Sequence, residues 1–135
     1  MMKLRCVQRG IWTVLAICDD RGGCLVQELI DHLETDSRSD YDQVMAQLRW
    51  AAANGPPRNY KKSRPLADRI FELKTRGGIR IPYFYDQDRL VICTEALRKP
   101  KKTEMRAVIT RALAAREGYF EAKRRGAVDV IQEES

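Results

Sequence analysis

A chain of 135 residues has room for one core of ordinary size, and 44% apolar with 33% charged residues excludes a disordered polyelectrolyte. The longest apolar run, Ile11 to Cys18, is far short of the roughly 20 residues that a bilayer-spanning helix needs. The net charge of +6 is uneven: residues 58 to 111 hold 15 basic and 6 acidic side chains, and the segments on either side are slightly acidic. So dense a positive field attracts a polyanion, with an affinity that falls as salt rises. Lys3, Arg5 and Arg9 ahead of Ile11 imitate the start of a secretory leader, but Asp19, Asp20 and Arg21 stand where small residues should mark cleavage. A single cytoplasmic domain over residues 1–135 is expected. Cys6, Cys18, Cys24 and Cys93 form no C-x-x-C pair and His32 is the only histidine, so reduced, mostly buried thiols are expected, with no metal.

Residues 10–18 are apolar on both alternating sets and rich in β-branched side chains, which predicts the first strand. Gly22 and Gly23 then turn the chain. Leu25, Val26, Leu29, Ile30 and Leu33 form one helical stripe with His32 on its flank, a position that suits a partly exposed histidine. Ser39 with Asp42 resembles a capping box, and Tyr41, Val44, Met45, Leu48 and Ala52 continue a second helix to Gly55, Pro56 and Pro57. The two helices form a hairpin whose stripes need a surface to cover.

Residues 58–65 read as a basic loop. Three β patterns follow, Ile70 to Thr75, Ile79 to Tyr85 and Leu90 to Leu97, separated by turns short enough for an antiparallel meander. Pro82 donates no ladder hydrogen bond, which predicts a bulge or an unpaired position there. A third helix is expected to start near Thr103 and end before Gly126; residues 127–135 either fray as a flexible tail or add a short strand through Val128, Val130 and Ile131. The expected fold is α+β: an N-terminal strand and helical hairpin packed on a small antiparallel β-sheet, with a C-terminal helix.

The meander exits into Arg98, Lys99, Pro100, Lys101 and Lys102, and Arg80 lies in the adjacent strand with Tyr83 and Tyr85 close behind. Cations bind a phosphate backbone while aromatic and guanidinium faces hold unstacked bases, the means by which single-stranded RNA is recognised. Tyr83 and Tyr85 share a strand face with Ile79 and Ile81, which points to core packing as well. Arg80 either pairs with Glu72 or reaches a ligand, because a buried guanidinium without a partner is costly.

The order "IFELKTRGGIRIPYFY", "LVICTEAL", "RKPKKT" resembles the HigB-like, phage-derived branch of the RelE/ParE toxin superfamily. Glu72-Leu73-Lys74 is similar to the family's E-L-R strand, Arg80 to Tyr85 to its Y-R-x-x-Y-x strand, and Lys99 to Thr103 to its basic loop. The resemblance implies a RelE-like fold and the toxin of a type II toxin–antitoxin pair. Such a toxin is a ribosome-dependent messenger endonuclease that uses no metal or cofactor, with the ribosome and mRNA as partners. It implies Arg80, Arg98 and Tyr83 at the catalytic centre and Lys99, Lys101 and Lys102 on the RNA backbone, where Lys61, Lys62 and Arg64 of the basic loop are further candidates. A HigA-like helix-turn-helix antitoxin would be its partner, and operator DNA would be bound only through that complex. The chain departs from the family pattern at Ile79 and Leu97 and has no histidine after His32, which leaves Tyr119 as the late candidate for proton transfer. Two other readings fit the same residues: a ParE-like toxin that inhibits gyrase, and a non-catalytic RNA-binding phage accessory protein.

Overall fold

The structure, a computed structural model, describes residues 1–55 and 63–131, and for residues 63 and 64 the backbone alone. Its elements in chain order are β1 (Met2–Arg9), β2 (Thr13–Cys18), α1 (Leu25–Asp36), α2 (Arg38–Asn54), β3 (Ser63–Ala67), β4 (Ile70–Lys74), β5 (Ile79–Asp86), β6 (Leu90–Cys93), β7 (Leu97–Arg98), α3 (Met105–Arg124) and β8 (Val128–Ile131). A 3-10 turn, Lys102–Glu104, leads into α3. Among the described residues the strands form one eight-stranded sheet in the order β3-β4-β5-β6-β2-β1-β8, with β7 pairing β5 off this path.

The expectation of a small antiparallel sheet is thus corrected to a larger, mixed one, because β2 pairs β6 and β1 pairs β8 in parallel. The missing half was hidden in β1. Its charged Lys3 and Arg5 alternate with Met2, Leu4 and Cys6, and only Leu4 among these is fully buried, so the apolar signal is thin. The predicted first strand is β2, and it lies between β1 and β6 with both faces covered, as its two apolar sets require. Residues 128–131 add a strand beside β1, while residues 132–135 lie outside the described residues.

Alternation along each strand feeds two cores. Val14, Ala16, Leu73, Ile79, Ile81, Tyr83, Val91 and Cys93 point beneath the α1–α2 hairpin, against Val26, Ile30, Leu33, Val44 and Leu48. Leu4, Leu15, Ile70, Phe84 and Ile92 point to the other face, against Ala112 and Tyr119 of α3. Helix α2 begins at Ser37 rather than Ser39, since the Ser37 hydroxyl accepts from the Asp40 backbone N–H at 3.4 Å. It closes at Gly55, where φ is +82° and the Trp12 ring leaves no room for a Cβ.

The predicted third β pattern, Leu90 to Leu97, is interrupted at residues 94–96. Strand β6 pairs β5 up to Tyr83 and β7 resumes at Arg80, so Pro82 sits at the gap. Its carbonyl accepts from the Thr94 N–H at 3.0 Å, and its missing donor is not needed by the neighbouring strand. Glu95 in the gap is buried and held by Arg111 of α3 through two bonds, Nε to Oε2 at 3.1 Å and Nη2 to Oε1 at 3.0 Å.

At the other end of β5, the Tyr119 hydroxyl and the Lys123 ammonium both donate to Asp86 Oδ2, at 2.6 and 2.7 Å. Burial raises the Asp86 carboxyl, but these donors and the Gln87 N–H outweigh it and leave the group below its ordinary value. A carboxylate whose folded pKa is depressed stabilises the fold above its unfolded value, and that contribution is lost as pH falls through the folded one. Asp86→Asn is therefore expected to lower stability at neutral pH and to flatten the acid limb of a stability curve below about pH 4. Tyr119→Phe should cost about 1 to 3 kcal/mol in urea unfolding at pH 7. An unchanged acid limb in Asp86→Asn would show that Asp86 is not the titrating group.

Candidate nucleic-acid interface

Register decides where each basic residue goes. Lys74 lies opposite Arg80 in the β4–β5 ladder, Arg80 opposite Leu97 and Ile79 opposite Arg98 in the β5–β7 ladder. The Lys99 N–H then donates to the Gly78 carbonyl at 2.9 Å. Lys74, Arg76, Arg80, Arg98, Lys99, Lys101 and Lys102 are therefore brought to one end of the sheet, around the β4–β5 turn and the β7 exit. Arg76, Lys99, Lys101 and Lys102 are exposed, and no ion pair to them or to Lys74 occurs among the described residues.

The two arginines of the family motif do not meet. Arg80 faces α3, where its Nη1 lies 3.5 Å from Oε1 of the fully buried Glu72; its own side chain is 19% exposed. Arg98 faces the hairpin, donating to Asp36 Oδ2 at 2.6 Å and lying 3.5 Å from Asp40 Oδ2. The hydrogen bond from Arg98 holds the Asp36 carboxyl below its usual range, and that bond raises the Arg98 guanidinium in turn. Arg98 thereby fastens β7 to the junction of α1 and α2. Gln43 and Gln47 of α2 fasten the adjacent turn, accepting from the Gly77 N–H at 3.0 Å and donating to the Lys74 carbonyl at 2.7 Å. Gly77 lies so close to Asp40 that a Cβ there would force the Asp40 carboxylate to shift.

Arg80 and Lys102 share a cleft of about 470 Å³ with Leu66, Pro100 and Met105. Lys101 is set by its own N–H, which donates to Glu104 Oε1 at 3.1 Å at the start of the 3-10 turn. Tyr83 is placed elsewhere: it is fully buried beneath the hairpin, stacked on Phe71 at 5.8 Å. In this structure Tyr83 packs in the core beneath the hairpin and does not join Arg80 and Lys102 at their cleft. Tyr119 is likewise buried, and its hydroxyl is pushed above its ordinary range by burial first and then by its bond to Asp86.

Lys61, Lys62 and the Arg64 side chain lie outside the described residues; the Arg64 backbone pairs opposite Glu72. Sequence reasoning missed Lys74 and Arg76 as members of the basic end. A signal existed in Lys74, since a lysine six residues before a strand arginine across a tight turn lies near it.

The Cys18, Cys24 and Cys93 thiols are buried, and burial pushes Cys18 up to about 11 and Cys93 up to about 12. His32 is exposed on α1, 3.8 Å from Asp36. Among the described residues no three His, Cys, Asp or Glu side chains gather as a metal-binding group, and no helix is long and apolar enough to cross a membrane.

Because Glu72 is buried, removing a cation that lies against it is costly. Arg80→Met is expected to destabilise the fold by about 3 kcal/mol, and Glu72→Gln combined with it by clearly less than the sum of the two single changes. Urea unfolding of the four proteins measures this; strict additivity would mean that the two side chains do not interact.

Residues 28–117 match the family model of the Gp49-like phage-derived proteins (DUF891). The match runs from α1 into α3 and includes the whole basic end, while β1, β2 and β8 fall outside it. A search of curated proteins finds no match to the chain. With two thirds of its residues inside that model and its basic segment within the matched part, the chain belongs to the Gp49-like phage-derived family, a toxin-like family of the RelE/ParE-like superfamily.

Proposed function

We propose that the chain is the toxin of a type II toxin–antitoxin pair, of the HigB-like branch, and that it acts as a metal-independent, ribosome-dependent endonuclease on messenger RNA. The observation that carries this reading is the basic end of the sheet, where Arg80 and Lys102 share a cleft, Lys74 lies opposite Arg80 in the ladder, and Arg76, Lys99 and Lys101 stand exposed on the adjoining turn and exit loop. In such a reaction an RNA 2′-hydroxyl attacks the adjacent phosphorus, and the bond from phosphorus to the 5′-oxygen breaks. The 2′-hydroxyl gives up its proton as it attacks and the departing 5′-oxygen takes one up, so the site must move two protons as well as neutralise the pentacovalent dianion. Arg80, held from behind by Glu72, is oriented before the substrate arrives, and Lys102 supplies a second charge. The lysines of the exit loop would grip the strand on either side. A HigA-like helix-turn-helix antitoxin would silence the toxin by covering this surface, and the pair would contact operator DNA through the antitoxin.

The burial of Tyr83 favours a second reading, a nucleic-acid binder without turnover. Expression in growing bacteria, with mapping of new RNA 5′ ends, separates the two. Growth arrest with cuts in translated messages, relieved by Lys102→Ala, is expected. Growth arrest with intact messages and impaired supercoiling would instead identify a gyrase inhibitor. Each of Lys99→Ala, Lys101→Ala and Lys102→Ala should also reduce the slope of log affinity against log salt for single-stranded RNA by about 0.7. Slopes unchanged by all three would remove the exit loop from the interface.

A further inference from the structure

Helix α3 and the β3–β4 pair border a second cleft beyond the basic one. Met105 lines the basic cleft and Phe120 lines this one, so α3 forms a wall of both. The last register pair between β4 and β5 is Phe71 with Tyr83, and β5 continues past it through Phe84 and Tyr85. That step leaves a cavity of about 760 Å³, lined by Phe84 and Phe120 from the α3 face and by Phe71 and Tyr85 from the hairpin face. The ring centroids lie 5.8 Å apart in the Phe84–Phe120 pair and 5.4 Å apart in the Phe71–Tyr85 pair. Tyr85 is 37% exposed.

The rim is charged. Arg69 is exposed and has no ion pair among the described residues. Arg116 is tied to the Asp68 backbone carbonyl and lies 3.4 Å from Asp68 Oδ2, so it closes the rim rather than offering its charge.

We propose that this cleft holds an unstacked base of a single-stranded RNA whose backbone is gripped at the basic end, with Arg69 on the flanking phosphate. Aromatic faces beside an uncommitted guanidinium are the combination that binds a splayed base, and the volume falls within the roughly 300 to 1,000 Å³ usual for small-ligand sites. From Arg80 to Tyr85 the strand advances about 17 Å at about 3.4 Å per residue, a separation that a strand of a few nucleotides can span. A peptide side chain would use the aromatic walls but has no need of Arg69, and for that reason RNA is favoured. The inference rests on the RNA-binding reading of the basic end.

The test is fluorescence anisotropy of the full chain with a short single-stranded RNA and with the same RNA carrying one abasic site, moved along the strand. One abasic position is expected to weaken binding about ten-fold. Tyr85→Leu, which keeps apolar bulk but removes the stacking face, should weaken binding of the intact RNA by a similar factor and be indifferent to that abasic position. Arg69→Gln should weaken binding and lower its salt dependence. If Tyr85→Leu and Arg69→Gln bind like the unmodified protein while Lys102→Ala still binds weakly, the cleft takes no base and the inference falls alone. If the unmodified protein shows no salt-dependent RNA binding, the RNA reading of the basic end falls and takes the inference with it.

Discussion

Strand β5 imposes the constraint on which the rest depends. Its two-residue period sends Ile79, Ile81 and Tyr83 beneath the hairpin and Arg80, Phe84 and Asp86 toward α3. A slip of one residue would exchange the two sets and place Arg80 and Asp86 in an apolar core. The register is pinned at the turn, where the Ile79 N–H donates to the Thr75 hydroxyl at 3.0 Å and the Thr75 N–H to the Ile79 carbonyl at 2.9 Å. It is pinned again from α2 through Gln43 and Gln47. The hairpin therefore does more than cover a hydrophobic face. Its polar residues hold the turn that aims the basic end.

That register also explains why basic residues close together in sequence have different consequences. Arg98 satisfies two carboxylates of the hairpin and is part of the scaffold. Arg80 neutralises a buried carboxylate yet keeps part of its surface at a cleft. A guanidinium backed by a buried acid loses little orientational freedom when a phosphate arrives, which is an advantage over a solvated lysine. The lysines of the exit loop are exposed, and in the proposed interface they would act through charge. Substituting either arginine mixes structural and functional effects, whereas the exposed lysines report on binding alone.

The helices were legible because their apolar stripes recur at helical spacing, and so were β4 and β5, whose turn carries paired glycines. The strand read over residues 10–18 is present as β2, although β1 precedes it in the chain. Strand β1 was not legible: its bulge between Cys6 and Gln8 and its two charged residues blur the alternation. The split between β6 and β7 was foreshadowed only by Pro82, since the broken pairing lies on the strand opposite the proline. At the candidate site, Arg80, Arg98 and the exit-loop lysines were legible as cations, but Lys74 and Arg76 were not singled out, and the orientation of Arg80 and Arg98 was not legible. Residue type marks a cation, whereas the parity of its position within a strand determines which face it serves, and a two-residue strand such as β7 offers too little pattern to count from.

The family match and the topology together suggest a division of labour. The antiparallel unit β3 to β6, with β7, the two helices and most of α3, lies in the matched region and contains every described residue of the basic end. Strands β2, β1 and β8 extend the sheet through the parallel β2–β6 pairing. Their contribution is apolar: Leu4 and Leu15 complete the core beneath α3, and Val14 and Ala16 that beneath the hairpin. Without that extension α3 would lie partly over an unfilled edge, and the groove it forms with β3 and β4 would lose a fixed wall. The added strands thus act on the candidate site through the position of α3, without contributing a side chain to either cleft.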